Sequence, residues 1–210
     1  PPFEDLGSAT IGLPASKPPP KTKPLNLISV MSTHRKDIYV ASSTHKHLLN
    51  SIEVGDLELA KRLLIGVDIN AQNNRGITAL YKSVFHNRES LVHLLLKQGA
   101  DTNLPDHEGL TPLHVTALED LDKLIPSLLD KGAELEAKDS YGYTPLHLAT
   151  DQGNTKTART LIERGANVNN RADWDTTPLQ SSIIRGSSKL VKLLLKIGAD
   201  ITAKDRLGRS

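Results

Sequence analysis

Apolar residues return along most of this chain in short bursts at helical spacing, and polar stretches containing glycine separate them. Leu80, Leu113, Leu146 and Leu179 each begin one burst. The pairs Leu95-Leu96, Leu128-Leu129, Leu161-Ile162 and Leu194-Leu195 lie in a second burst, 15 residues further on. Both sets keep a period of 33 residues with no insertion, which is the mark of a repeat architecture rather than of a single globular core. Two further markers run in phase with them. Thr78, Thr111, Thr144 and Thr177 precede the first burst, and Gly99, Gly132, Gly165 and Gly198 follow the second.

Each marker has a physical role. A threonine hydroxyl can accept a hydrogen bond from an unpaired backbone N–H in a helix's first turn. Pro112, Pro145 and Pro178 come next, at the first helical position, where a missing N–H costs nothing and a fixed φ suits the helix. Glycine supplies the left-handed residue that ends the second helix. Polar stretches such as Ala137-Lys138-Asp139-Ser140-Tyr141-Gly142 then predict a β-turn finger. Helices of about ten residues are marginal in isolation, so stability must come from stacking on neighbours. The pattern predicts an all-α solenoid of helix-turn-helix units joined by fingers. Units are expected at about 44–72, 73–105, 106–138, 139–171 and 172–204, with the start of a sixth at 205–210.

Thr144-Pro145-Leu146-His147-Leu148-Ala149 matches T-P-L-H-x-A in full, and Thr111-Pro112-Leu113-His114 matches its first four positions. With Gly99-Ala100-Asp101-Thr102-Asn103, these residues give a unit that resembles the ankyrin repeat, over about residues 44–210. The resemblance implies a non-catalytic protein–protein interaction module. Its partner protein would lie in the concave groove, against finger tips and the open side of the first helices.

Departures from the pattern carry their own expectations. The first unit has Lys46-His47-Leu48-Leu49 in place of Thr-Pro-Leu-His and is one residue short between Leu64 and Gly66, as an N-terminal cap would be. The second has Ala79 and Tyr81, and the fifth has Gln180, where proline and histidine would stand, so these units should lack the imidazole bonds that tie neighbouring fingers. Pro126 sits inside the second helix of the third unit and should kink or fray its first turns. Seven of the twelve prolines fall in the first 24 residues, which with the rest of 1–43 read as a Pro-rich, largely disordered segment; no two of the seven are spaced as P-x-x-P. Residues 25–43 carry enough apolar side chains to pack on the first unit. A chain that begins with proline and stops after a finger reads as a piece of a longer protein. There, the block could alternatively serve as a regulatory or ligand-recognition segment of a larger enzyme or signalling ATPase.

Composition narrows the function. Aromatic residues are 3% of the chain, as thin stacked layers of Leu, Ile, Val and Ala require, and there is no cysteine. Disulfides, thiolate metal sites and a cysteine nucleophile are thereby excluded, and the expected compartment is intracellular, cytoplasmic or nuclear. Of the formal charge of +2, all is carried by residues 1–43, which leaves a neutral body and argues against nucleic-acid binding. No apolar run approaches the ~18 residues of a membrane span, so no membrane insertion is expected. Phosphate-loop, dinucleotide and zinc-protease motifs are absent. His114 and His147, at matched positions, read as structural, and His45-Lys46-His47 as surface residues without a third metal ligand. No enzyme, cofactor or metal is expected.

What remains is the surface. The residue before the finger glycine runs Arg75, Glu108, Tyr141, Trp174, Leu207, and the residue after it Ile77, Leu110, Tyr143, Thr176, Arg209. At the ends of the first helices the columns are Phe85, Leu118, Asp151, Ile184 and His86, Glu119, Gln152, Arg185. Apolar side chains are over-abundant there, and tryptophan and tyrosine are the residues most enriched in interface hot spots. The expected partner-binding set is Tyr141, Tyr143, Trp174, Leu110, Ile77, Phe85, Leu118, Ile184 and Arg185, centred on the three rings. The rings could instead stack on one another and stiffen the fingers.

Overall fold

A computed structural model describes residues 43–210. The Pro-rich tail and the apolar segment after it, up to residue 42, lie outside the described residues. All regular structure among the described residues is helical. Helix α1 is seen from 43 to 54, followed by α2 (Leu57–Leu63), α3 (Ala79–Phe85), α4 (Glu89–Lys97) and α5 (Pro112–Leu118). A 3-10 turn (Asp122–Leu124) leads into α6 (Ile125–Leu129), and α7 (Pro145–Gln152), α8 (Thr155–Glu163), α9 (Pro178–Ile184) and α10 (Ser188–Ile197) complete the order. The first helices stack as α3–α5–α7–α9, and each second helix packs on its own first helix and on its neighbours in the row.

The threonines cap as their position demands. Tyr81 N–H donates to Thr78 Oγ1 at 3.0 Å, and Gln180 N–H to Thr177 Oγ1 at 3.3 Å. The residue three positions on reaches back to the cap. Thr111 N–H donates to His114 Nδ1 (3.1 Å), Thr144 N–H to His147 Nδ1 (3.2 Å) and Thr177 N–H to Gln180 Oε1 (2.9 Å). Histidine thus does the work that glutamate or glutamine does in an ordinary capping box.

The other end of the same side chain ties one unit to the next. His114 Nε2–H donates to the Tyr143 carbonyl at 3.1 Å and His147 Nε2–H to that of Thr176 at 3.0 Å. The second and fifth units, expected to lack such ties, make them with other atoms. Tyr81 donates its hydroxyl to Asp106 Oδ2 at 2.9 Å, and Gln180 donates Nε2–H to the Arg209 carbonyl at 2.8 Å. A longer phenol reaches a side chain where imidazole reaches a carbonyl, and a primary amide reproduces both imidazole bonds.

Leu80, Leu113, Leu146 and Leu179 are buried, with Leu95, Leu128, Leu161 and Leu194 facing them from the second helices. Thr116, Thr150 and Ser182 are buried beside them and return their hydroxyls to carbonyls of their own helices at 2.7–2.8 Å. Pro126 splits its helix rather than kinking it. The first turn is 3-10, and proline then falls in the first turn of α6, where its missing N–H has no partner to lose. The cost is length, because α6 has 5 residues where α8 has 9 and α10 has 10.

Candidate functional site

Each finger is closed by one backbone bond and linked to the next by another. Asp139 N–H donates to the Tyr143 carbonyl at 3.0 Å, and Ala172 N–H to that of Thr176 at 3.1 Å. Between fingers, His107 N–H donates to the Arg75 carbonyl, Ser140 N–H to Glu108, Asp173 N–H to Tyr141 and Arg206 N–H to Trp174, all at 2.9–3.1 Å. This ladder puts equivalent residues of adjacent fingers side by side, so Tyr141 and Trp174 occupy neighbouring tips.

A carboxylate or amide braces four of the five fingers from within. Oδ1 of Asn73, Asp106, Asp139 and Asp205 each accepts two backbone N–H bonds at 2.8–3.0 Å. The finger of Trp174 has Ala172 at that position and makes neither bond. It also has Asp175, at φ 57°, where the other four have glycine. Asp175 lies 3.8 Å from Arg171 and 3.6 Å from Arg206. The column Asn73, Asp106, Asp139, Ala172, Asp205 carried this signal in the sequence, and only the bonding pattern gives it meaning.

The residues expected to bind a partner divide by exposure. Trp174 is 60% exposed, Tyr141 62%, Ile184 70% and Phe85 51%. Tyr143, Leu110, Ile77 and Leu118 are half-buried, because the neighbouring unit covers one side of each. Tyr143, Trp174 and Ile184 come together around a shallow cavity of about 220 Å³ that Asp151 and Leu207 also line. Tyr141 and Phe85 lie outside it. Arg185 turns back on the preceding unit, donating to the Asp151 carbonyl and, at 3.0 Å, to Gln152 Oε1.

The cavity sets Trp174, Tyr143, Ile184 and Leu207 among mainly polar groups, four of them charged. Arg206 stands 6.0 Å from the Trp174 ring centroid, a cation–π arrangement, and Arg209 pairs with Asp205 at 2.7 Å. Tyr143 packs its ring on His147 with centroids 5.7 Å apart. Burial pushes the Tyr143 phenol up from its usual range, and the negative charges of Asp151, Asp139 and Asp173 push it further. Asp151 was in the columns read from the sequence, but its role depends on the rings that the stack brings to it.

The larger cavity, about 1040 Å³, lies at the first unit, where the described residues begin. It is lined by His45, Lys46, His47, Asp68 and Lys82 among others. His45 is not on the surface as its neighbours are. It is buried, and burial holds its pKa below the ordinary histidine value. This cavity is lined by no tryptophan, tyrosine or phenylalanine, whereas Trp174 and Tyr143 meet at the smaller groove, which is therefore taken as the candidate for recognition. Among the described residues no group of three or more His, Asp or Glu side chains is arranged to hold a metal ion, and no helix is long and apolar enough to cross a membrane.

Thr111 and Thr144 set their hydroxyls 2.9 and 2.8 Å from Nδ1 of His114 and His147, but all four residues are buried in the stack as helix caps. His114 and His147 are buried, spend both ring nitrogens on the fold, and have pKa values lowered mainly by burial, to about 4 for His147. No curated protein matches the chain. A family model for ankyrin repeats in sets of three matches residues 48–139 and again residues 119–205. Together the two matches span most of the helical stack, and the chain belongs to the ankyrin-repeat family.

Proposed function

We propose that this stack is a non-catalytic module that holds a partner protein on the face formed by the finger tips and the ends of the first helices. Ankyrin repeats generally serve protein–protein interaction, and the site proposed within this one is the groove of Trp174, Tyr143 and Ile184, with Tyr141 on the adjoining tip. One observation carries the reading. The chain's only tryptophan stands 60% exposed at a finger tip, beside a tyrosine equally exposed. Rings placed so give up large apolar area when covered, which is what interface hot spots do. Stiffening of the fingers is the weaker account, because no ring pair among Tyr141, Tyr143 and Trp174 is in stacking contact, whereas Tyr143 stacks on His147.

The test is capture of partners from an extract by the chain and by its Trp174→Ala variant, each bait checked by helical circular dichroism. A partner held by the chain and lost by the variant, with helicity unchanged, supports the site. Capture that is indifferent to Trp174, Tyr141 and Ile184 moves the site to another face.

A further inference from the structure

The groove is small and its charges are unequally compensated. At about 220 Å³ it lies below the roughly 300–1,000 Å³ of small-molecule sites, and suits a single long side chain. Trp174, Tyr143 and Ile184 supply its apolar surface, and Asp151 lies on the same lining. Of the four charged groups on the rim, three are engaged: Arg209 with Asp205, and Arg206 with Trp174 and Asp175. The Asp151 carboxylate has no ion pair among the described residues; it accepts one hydrogen bond, from its neighbour Gln152 at 3.2 Å, while its backbone carbonyl accepts from Arg185 Nε. The groove therefore presents one carboxylate without an ion pair on the same lining as two aromatic rings.

We propose that the groove takes an arginine side chain of the partner, its stem against Trp174 and Ile184 and its guanidinium on the Asp151 carboxylate. The charge complementarity follows from the rim. The choice of guanidinium over ammonium follows from its flatness and weak hydration, which let it lie along a ring and still donate sideways to a carboxylate. Arg206 already places a guanidinium near the same indole, so the ring's surroundings accept one. This inference rests on the partner-binding reading and names the chemistry that the site selects.

The probe is N-acetyl-arginine amide, titrated into the full chain beside N-acetyl-citrulline amide, which has the same shape and no charge. The single indole N–H resonance of Trp174 reports on the site in a ¹H–¹⁵N spectrum. A saturable shift with a millimolar dissociation constant is expected for arginine, with binding at least tenfold weaker for citrulline. Asp151→Asn should weaken arginine binding about tenfold while the rest of the spectrum stays that of the folded chain, since Asp151 is exposed. Equal responses to arginine and citrulline, no response to arginine, or full binding by the Asp151→Asn variant would each overturn the inference. A lysine amide that binds as tightly would overturn the choice of arginine. The two readings fail separately: partner capture that needs Trp174 but not Asp151 leaves the partner site standing and removes only the arginine.

Discussion

His114 and His147, at the signature position of their units, are wired to the backbone as neutral rings, and that makes the stack's stability depend on pH above the carboxylate range. At His147 the Nδ1 atom accepts from Thr144 N–H and Nε2–H donates to the Thr176 carbonyl. A second proton would set a donor against the Thr144 donor inside the stack. Its pKa is accordingly held at about 4, first by burial and with a smaller push from Lys138, against the 6.5 of an unperturbed ring; hydrogen bonds to backbone carbonyls and the Asp139 charge oppose the shift without cancelling it. The sign follows. Above pH 6.5 folded and unfolded rings are both neutral and the contribution is whole. As pH falls toward 4 the unfolded chain takes up a proton that the folded chain refuses, and stability drains away. For a pKa displaced by about 2.5 units the loss is about 2 kcal/mol at pH 5 and about 3 kcal/mol below pH 4. The lowered values of His114 and His45 add to it in the same direction.

The fold contains its own control for this. Gln180 occupies the histidine position in the fifth unit and makes both bonds with an amide that has no proton to gain. The His147→Gln variant should therefore keep most of its stability at pH 7 and lose about 2 kcal/mol less than the parent between pH 7 and pH 5. Urea unfolding followed by circular dichroism at the two pH values, at constant ionic strength, measures the difference, provided the m-value is shared. The carboxylates with lowered pKa, Asp200, Asp205 and Glu53, start from ordinary values of 3.8, 3.8 and 4.5, so their losses lie mostly below this window. A variant that loses as much as the parent would show that His147 is not a buried neutral group, and the wiring described above would be wrong.

Three further outcomes are expected. Ala172→Asp should give the Trp174 finger the two side-chain bonds that the other fingers have, raising stability by about 1–2 kcal/mol; an unchanged urea midpoint would mean that this finger cannot adopt its neighbours' form. Tyr81→Phe removes the bond to Asp106 Oδ2 and should cost about 1–2 kcal/mol in the same assay, as hydrogen bonds to charged groups do. Pro126→Ala should change stability by less than about 0.5 kcal/mol, since proline already sits where no N–H bond is available to restore; a gain of several times that would show a strained helix.

Much of this was legible in the sequence because the repeat compares each position with itself. Thr, Pro, Leu and Gly recur where a cap, a helix start, a buried stripe and a helix stop are needed, and one unit's chemistry explains the next. What was hidden lay between units. Tyr81 and Gln180 look like losses until the Asp106 carboxylate and the Arg209 carbonyl stand opposite them. His45 looks like a surface residue by its neighbours Lys46 and His47, and is buried because it falls on the helix's inner side. Leu110 and Leu118 look like free apolar side chains and are half-covered, because a column in a stack always has one neighbour on its flank.

The proposed site sits where the pattern is broken. Four fingers spend an Asp or Asn on bracing their own turn, and the fifth spends alanine there, with an aspartate held at positive φ in place of glycine. The first change removes two side-chain bonds from the turn, and the second brings Asp175 within 3.8 Å of Arg171 and 3.6 Å of Arg206. Backbone bonds still fix the finger at its edges, from Asp173 N–H to Tyr141 and from Arg206 N–H to Trp174. The missing side-chain bonds are thus those of the tip, and the tip is Trp174. Sequences that specify a fold depart from local consistency mainly where function asks for it. Under the proposed function the Trp174 ring closes over a partner's side chain and gains from a turn without side-chain bracing, and Ala172→Asp separates the two demands: it should strengthen the stack and slow or weaken capture at Trp174. Strengthening with no change in capture would mean that the unbraced finger serves nothing beyond the fold.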